Sequence, residues 1–276
     1  MYHALEVLPL TPAIGAEVRG LDLQETPAPE VVVKLEQALL EHLVLFFRDQ
    51  DLTPAQLVAL GRCFGTVSLP PIAQPHPDEP DLMIFDQTEP IGAGADTWHT
   101  DASWIENPPA ISILSAVALP ALGGDTCFAN MYAAYESLSP TFREMLGNLK
   151  AVQDITAPMR MARDKEVLQD TIEDMQRRYP PVQHPVVRTH PVTGRQALYV
   201  TENSTDGLVG LSPRESDLLL GFLLEHAKSP VFQCRFRWEP HSIAIWDNRC
   251  VLHFGVPDYH ERRIMYRLCI EGDRPV

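Results

Sequence analysis

The chain has 276 residues, 45% of them hydrophobic and 21% charged, which suffices for a sizeable core and excludes a disordered, collagen-like or disulfide-scaffold protein. Asp and Glu outnumber Lys and Arg by 37 to 22, a net charge of −15, which argues against nucleic acid or an anionic membrane as partner, since both are read by positive fields. A small anionic substrate remains compatible if a few arginines build its site locally.

No stretch approaches the roughly 18 apolar residues of a membrane span. The N-terminal MYHALEVLPLTP lacks the basic region and long apolar run of a secretion signal, so a cytoplasmic protein is expected. Cys63, Cys127, Cys234, Cys250 and Cys269 are scattered without a C-x-x-C pair. They read as reduced thiols, neither a disulfide frame nor a zinc site.

In chain order, Glu6–Leu10 and Ile14–Leu21 read as strands. Val31–His42 has the apolar spacing of a helix, and Leu43–Phe47 is a short apolar run of the buried-strand type. Thr53-Pro54 opens a second helix that stops at Gly65. Residues 67–94 are rich in proline, with one strand-like piece at Asp81–Phe85, and are expected to form a lid or substrate loop over about 66–97. Ile111–Leu119 and Thr126–Ala129 are strand-like around a Gly123-Gly124 turn. Met131–Leu146 is helical with a break at Ser139-Pro140, and Asp164–Tyr179 reads as a charged, exposed helix. Val182–His190 and Gln196–Val200 are expected to pair as a hairpin, and Ser212–Lys228 as an amphipathic helix. Four further strands follow: Phe232–Trp238, Ser242–Trp246, Val251–Phe254 and Arg263–Glu271. No repeat or linker divides the chain. A single α+β domain over 1–276, with a mainly β core in a sandwich or barrel, is expected.

Three features carry chemistry. In Trp98-His99-Thr100-Asp101, alternate residues of an extended segment point the same way, so His99 and Asp101 can aim an imidazole and a carboxylate at one point. His253 lies on a late strand. Two histidines and one carboxylate form the facial triad of non-haem Fe(II) oxygenases, which leaves coordination positions open. Arg263 and Arg267, four apart on the last strand, face one side, and each can fork onto an oxyanion.

Four segments together resemble the taurine/2,4-dichlorophenoxyacetate (TauD/TfdA) dioxygenases: Trp98-His99-Thr100-Asp101, Gly123-Gly124-Asp125-Thr126, Ile245-Trp246-Asp247-Asn248-Arg249, and His253 through Arg267. The resemblance implies a double-stranded β-helix, a cupin-like jelly roll with flanking helices. It implies Fe(II) held by His99, Asp101 and His253, with 2-oxoglutarate as co-substrate and O2 as oxidant. Arg263 and Thr126 would take the distal carboxylate of 2-oxoglutarate, Arg267 the anionic end of the substrate, and Trp246 would pack the site. Related halogenases lack the carboxylate at the position of Asp101, so its presence favours hydroxylation. The resemblance also implies a homodimer or homotetramer.

The expected reaction hydroxylates a C–H next to a heteroatom in a small anionic organic compound, giving succinate, CO2 and a product that fragments. The polar taurine contacts of the family have no counterparts in Ser68-Leu69-Pro70-Pro71-Ile72 or Ala95-Asp96-Thr97. An alkyl sulfonate, a sulfate ester or an aryloxyalkanoate is therefore at least as suitable as taurine. His76, in the same loop, is a candidate substrate contact. An alternative keeps the chemistry but places it on an amino acid or natural-product intermediate, with Glu202 and Asp206 receiving an ammonium group. A remote alternative is a metal-binding β-sandwich without oxygenase activity, or a zinc hydrolase. His184, His190, His241 and His260 are expected as surface or loop contacts, and Cys250 and Cys269 as buried fillers.

Overall fold

The structure, a computed structural model, describes residues 5–71, 74–88, 96–163 and 171–276. Strands β1 (Glu6–Pro9) and β2 (Ala16–Arg19) form an antiparallel hairpin. Helix α1 (Pro29–His42) starts on a proline, whose fixed φ and missing N–H suit a first helical turn. It ends at Leu43, in the left-handed region with φ 66°, and the chain passes straight into β3 (Val44–Phe47). Helix α2 (Pro54–Phe64) opens with a capping box between Thr53 and Gln56. Then come β4 (Val67–Ser68), β5 (Met83–Gln87), β6 (Ile111–Ala118), β7 (Thr126–Asn130), α3 (Met131–Glu136), α4 (Pro140–Leu146), β8 (Lys150–Gln153), α5 (Thr156–Arg163) and α6 (Ile172–Arg178). The chain continues through β9 (Val182–Pro185), β10 (Val187–Thr189), β11 (Gln196–Leu198), β12 (Thr205–Leu208) and α7 (Pro213–Ala227). A 3-10 turn at Pro230–Phe232 leads into β13 (Gln233–Phe236), β14 (Ile243–Asp247), β15 (Val251–Gly255) and β16 (Arg263–Ile270).

Among the described residues the largest sheet runs β1-β2-β3-β14-β6-β16-β4, with β5 also paired to β16. A second sheet, β13-β7-β15, lies opposite its inner face. The core between them joins Phe46, Ala244, Trp246 and Met265 of the large sheet to Phe128, Phe236 and Val251 of the small one. The Phe46 ring stacks on Phe236 at 4.0 Å and meets the edge of Phe128 at 5.6 Å. On the outer face, Leu35 and Leu39 of α1 and Leu57 and Leu60 of α2 pack against Leu45, Ile113, Ile245 and Leu268. β3 and β14 are thus buried on both faces, which is why each reads as an unbroken apolar run. Two smaller sheets, β12-β8-β9 and β10-β11, contribute Ala151, Leu208, Val187 and Leu198 to the same core cluster. No helix among the described residues is long and apolar enough to cross a membrane.

Several expectations shift. The strand expected at Asp81–Phe85 lies at Met83–Gln87 and adds to β16, as does β4, so the described part of 66–97 contributes two strands to the large sheet. Ile72 and Ala95 lie outside the described residues, as does 164–170 of the expected Asp164–Tyr179 helix. Its remainder is α6, while α5 carries no pattern that announced it. The hairpin keeps only Val187–Thr189 against Gln196–Leu198. Val182–Pro185 pairs with β8 instead, because Pro185 has no N–H to continue the ladder and the chain changes partner there.

Phe46 joins both sheets and has no exposed surface. Phe46→Ala is expected to cost about 3–5 kcal/mol of unfolding free energy. Denaturant unfolding checks this; a loss below 1 kcal/mol would mean that the inter-sheet core collapses around the gap.

Candidate active site

The site forms where the segment before β6 is stitched onto the edge of β15. The His99 N–H donates to the His253 carbonyl at 3.0 Å and the His253 N–H to the His99 carbonyl at 2.8 Å, an isolated antiparallel bridge. Thr100 Oγ1 donates to the Val251 carbonyl, and the Trp98 ring stacks on Phe254 at 5.5 Å. The two imidazoles therefore stand side by side, with ring centroids 4.1 Å apart. The chain turns immediately after Thr100, and Asn248 holds that turn: its Oδ1 accepts from the Asp101 N–H, and its Nδ2 donates to the carbonyls of Asp101 and Pro109.

Asp101 Oδ1 ends up 3.6 Å from His99 Nε2 and 3.3 Å from His253 Nε2. Ligand atoms of His99, Asp101 and His253 all lie within 4.8 Å of one another, and all three residues are buried. His99 Nδ1 meets the Thr97 carbonyl at 2.7 Å. A carbonyl only accepts, so the ring proton sits on Nδ1 and the Nε2 lone pair is free for a metal. Burial, reinforced by neighbouring His99, pushes His253 down to about 4 despite Asp101, so its imidazole is neutral near pH 7, the form that coordinates. Burial alone would raise the Asp101 carboxyl, but the Arg267 guanidinium holds it well below the usual carboxylate range. Two imidazoles and one carboxylate, on one side of a buried space, fit a divalent iron.

The second carboxylate oxygen is occupied differently. Ser112 Oγ donates to Asp101 Oδ2 at 2.6 Å, and Arg267 Nη2 closes on the same oxygen. Oδ1 is thereby left as the oxygen that faces the histidines. Burial opposes the charge on Arg267, but the Asp101 carboxylate more than offsets it. Arg267 Nε is buried without a hydrogen-bond partner.

Arg263 lies on the same face of β16. The Gly123-Gly124 turn, with φ of 85° and 70°, packs against it so closely that a Cβ on Gly124 would lie 3.1 Å from Arg263 Nε. Burial lowers the Arg263 pKa, and Nε has no hydrogen-bond partner. Among the described residues Arg263 forms no ion pair; Tyr259 offers its ring, 5.9 Å from the guanidinium carbon. Thr126, two residues after Gly124, is buried on β7. The Trp246 ring lies 4.8 Å from His253, and its Nε1 is also buried without a partner.

His76 is not brought to this group. Its ring meets the edge of Tyr266 at 5.2 Å, and its Nδ1 accepts from the Asp78 N–H. Tyr266 alternates with Met265 and Arg267 along β16 and packs into the outer core, so His76 sits on the opposite face of the sheet.

Two other histidines depart from expectation. His190 is buried, with Nε2 2.9 Å from Asp247 Oδ2, and Asp247 also takes Arg249. His184 is buried too, its Nε2 on the Ile105 carbonyl. The hairpin position predicts surface or loop contacts for both; the partners that bury them, Ile105 and Asp247, are distant in sequence. Cys250 and Cys269 are buried free thiols, as expected. The roles of Ser112 and Asn248 escaped sequence reasoning, and Glu202, read there as a receptor for an ammonium group, instead takes the Trp98 N–H. Asn248 sits inside the Trp246–Arg249 motif and could have been singled out there; a lone serine on a strand carries no such signal.

A buried two-histidine, one-carboxylate cluster between facing sheets is the donor set of the non-haem Fe(II) oxygenases. Residues 6–269 match the family model described as taurine catabolism dioxygenase TauD, TfdA family. An alpha-ketoglutarate-dependent sulfate ester dioxygenase of Pseudomonas putida is 34% identical over 99% of this chain and 92% of its own length. An alpha-ketoglutarate-dependent 2,4-dichlorophenoxyacetate dioxygenase of Cupriavidus pinatubonensis is 34% identical over 90% of both chains. The crystal structure of a taurine dioxygenase from Burkholderia xenovorans superposes with a TM-score of 0.85 at 37% identity, covering 99% of this chain and 91% of the other. The chain belongs to the TauD/TfdA family and shares the jelly-roll fold of these neighbours, mostly strands with some helices. It is a dioxygenase that depends on Fe(II), 2-oxoglutarate and O2.

Ser112→Ala removes one of two groups on Asp101 Oδ2 and is expected to weaken Mn(II) or Fe(II) binding about 10- to 100-fold. Calorimetric metal titration reads this, and unchanged affinity would show the contact to be idle. Arg249 and His190 hold the Asp247 pKa below its ordinary 3.8 against burial, so Asp247 contributes stability present above that pH and lost as pH falls through the lower folded value. Asp247→Asn should therefore cost about 3 kcal/mol at neutral pH. The deficit should shrink on acidification below 3.8. Urea unfolding at several pH values tests the sign: a deficit independent of pH rejects the charge explanation.

Proposed function

We propose that this enzyme hydroxylates a C–H next to a heteroatom in a small anionic organic compound: a sulfate ester, an alkyl sulfonate or an aryloxyalkanoate. The reaction consumes O2 and 2-oxoglutarate and yields succinate, CO2 and an alcohol. When the new hydroxyl sits on the carbon bearing the heteroatom, that alcohol collapses to a carbonyl compound and the leaving anion. The names of the relatives cover this range of substrates: sulfate esters for the Pseudomonas protein, 2,4-dichlorophenoxyacetate for the Cupriavidus protein and taurine for the Burkholderia one. A sulfonate dioxygenase of Saccharomyces cerevisiae, 32% identical, belongs to the same group.

The observation that carries the residue assignment is Arg263, a buried guanidinium with no carboxylate partner among the described residues. A buried cation without a counter-ion is costly. The distal carboxylate of 2-oxoglutarate neutralises it, with Thr126 as a second donor. His99, Asp101 and His253 would hold the iron, which with 2-oxoglutarate and O2 supplies the oxidant that removes the substrate hydrogen. Asp101 keeps its charge because Arg267 and Ser112 occupy Oδ2. Arg267 offers its unpartnered Nε to the anionic end of the substrate, and so anchors that end beside the metal carboxylate. Trp246 packs beside His253 and helps exclude water, which keeps the oxidising equivalents on the substrate.

The acidic receptor needed for an amino-acid substrate finds no support. Glu202 takes the Trp98 N–H at 2.8 Å and pairs with Lys228 at 2.9 Å, and Asp206 is exposed. His76 is not part of the proposed pocket. We take the two facing sheets as the double-stranded β-helix of the family and residues 1–276 as one catalytic domain; the two cores on opposite faces of the same large sheet support both.

Succinate formation with Fe(II), ascorbate and O2, run against taurine, longer alkyl sulfonates, alkyl sulfates and aryloxy acids, tests the reaction and names the substrate class. Stimulation by one class is expected, and no succinate from folded, iron-loaded protein would reject the proposal. Arg263→Ala should raise the 2-oxoglutarate requirement by at least tenfold, the scale of one lost charged hydrogen-bonding pair. Metal binding should be unaffected, and an unchanged requirement would remove Arg263 from the co-substrate site.

A further inference from the structure

Thr126 Oγ1 makes one hydrogen bond among the described residues: it accepts from Trp238 Nε1 at 3.0 Å. Both side chains are buried, with 4% and 6% of their surface exposed. Trp238 follows β13, whose Phe236 sits opposite Thr126 in the ladder, and its ring meets the edge of Phe236 at 5.0 Å. An indole N–H only donates, whereas a hydroxyl has one proton and two lone pairs. Receiving the indole proton therefore fixes Thr126 Oγ1 as acceptor on that side. Its own proton is left to be given elsewhere, and no acceptor for it is present among the described residues. Two residues before Thr126, Gly124 packs on Arg263, which forms no ion pair among the described residues.

We propose that Trp238 is a positioning residue that makes Thr126 an obligate donor toward the co-substrate carboxylate. This rests on the assignment of 2-oxoglutarate to Arg263 and Thr126. The indole does not touch the co-substrate. It blocks the hydroxyl rotamers that would turn the proton away, and it polarises the O–H bond, so that the hydroxyl donates more strongly. The selectivity is chemical: an anion that only accepts matches this hydroxyl and the guanidinium together, whereas a group that only donates meets no acceptor there.

The test measures binding without turnover, by calorimetric titration of N-oxalylglycine, a non-reacting mimic of 2-oxoglutarate, into Mn(II)-loaded protein. Trp238→Phe keeps the ring and removes the N–H. It is expected to weaken binding about three- to tenfold, the scale of one neutral hydrogen bond. Thr126→Val should lose at least as much, Thr126→Ser should restore most of it, and Trp238→Phe should add nothing in the Thr126→Val background. Equal losses from Trp238→Phe in both backgrounds would mean a purely structural role and overturn the proposal. A loss in Thr126→Val with none in Trp238→Phe would overturn the proposal while leaving the co-substrate site in place. No loss in Thr126→Val would overturn the co-substrate site and the proposal together. Should Trp238→Phe fail to fold, the indole N–H resonances of the four tryptophans decide. One must move in Zn(II)-loaded Thr126→Val and again when N-oxalylglycine binds to Zn(II)-loaded protein with Thr126 intact; four unmoved resonances overturn the proposal.

Discussion

Asp101 places a carboxylate where water does not reach it, and the surrounding structure is arranged to keep that charge in one orientation. Two imidazoles face one oxygen, and a guanidinium and a hydroxyl hold the other. An isolated buried carboxylate would take up a proton to escape the desolvation cost. Here the Arg267 charge, delivered from the opposite sheet, outweighs that cost. Neither sheet alone can build the site. His253 belongs to the small sheet and Arg267 and Ser112 to the large one, so the inter-sheet packing around Phe46 and Phe236 sets the distances among them.

The neighbourhood of Asp101 shows how backbone anchoring substitutes for side-chain rigidity. The residues around it have no regular ladder of their own. They borrow one from β15 through the His99–His253 bridge, and Asn248 satisfies both the N–H and the carbonyl of Asp101. Asn248 is itself held in the turn between β14 and β15, where Asp247 pairs with His190 and Arg249. A buried ionic cluster away from the reaction thus fixes the turn that fixes the carboxylate.

The two arginines of β16 share a face but not an electrostatic situation. Arg267 has a counter-ion and its pKa rises; Arg263 has none among the described residues and its pKa falls. The difference separates a cation that stabilises the Asp101 carboxylate from one whose charge burial disfavours. In a chain of net charge −15, a buried cation that forms no ion pair among the described residues supports the proposal that Arg263 receives an anionic ligand.

Much of this was legible in the sequence. The period-2 and period-3.6 patterns located most strands of the large sheet and helices α1, α2 and α7, because burial of one face imposes them locally. The His99, Asp101, His253 set and the paired arginines stood out because residue type and spacing along an extended chain decide which side a group faces. Short strands such as β8 and β12, the partner change at Pro185 and the burial of His184 and His190 were not legible, since each depends on what another segment supplies. The sequence by itself determined the chemistry available: two imidazoles, one carboxylate and two guanidinium groups on strands. Only the tertiary structure decided that Arg267 closes on Asp101, that Arg263 forms no ion pair among the described residues, that Trp238 meets Thr126 and that His76 lies behind the sheet. Those contacts join residues far apart in the chain, and their geometry is fixed by packing between layers rather than by local backbone preference.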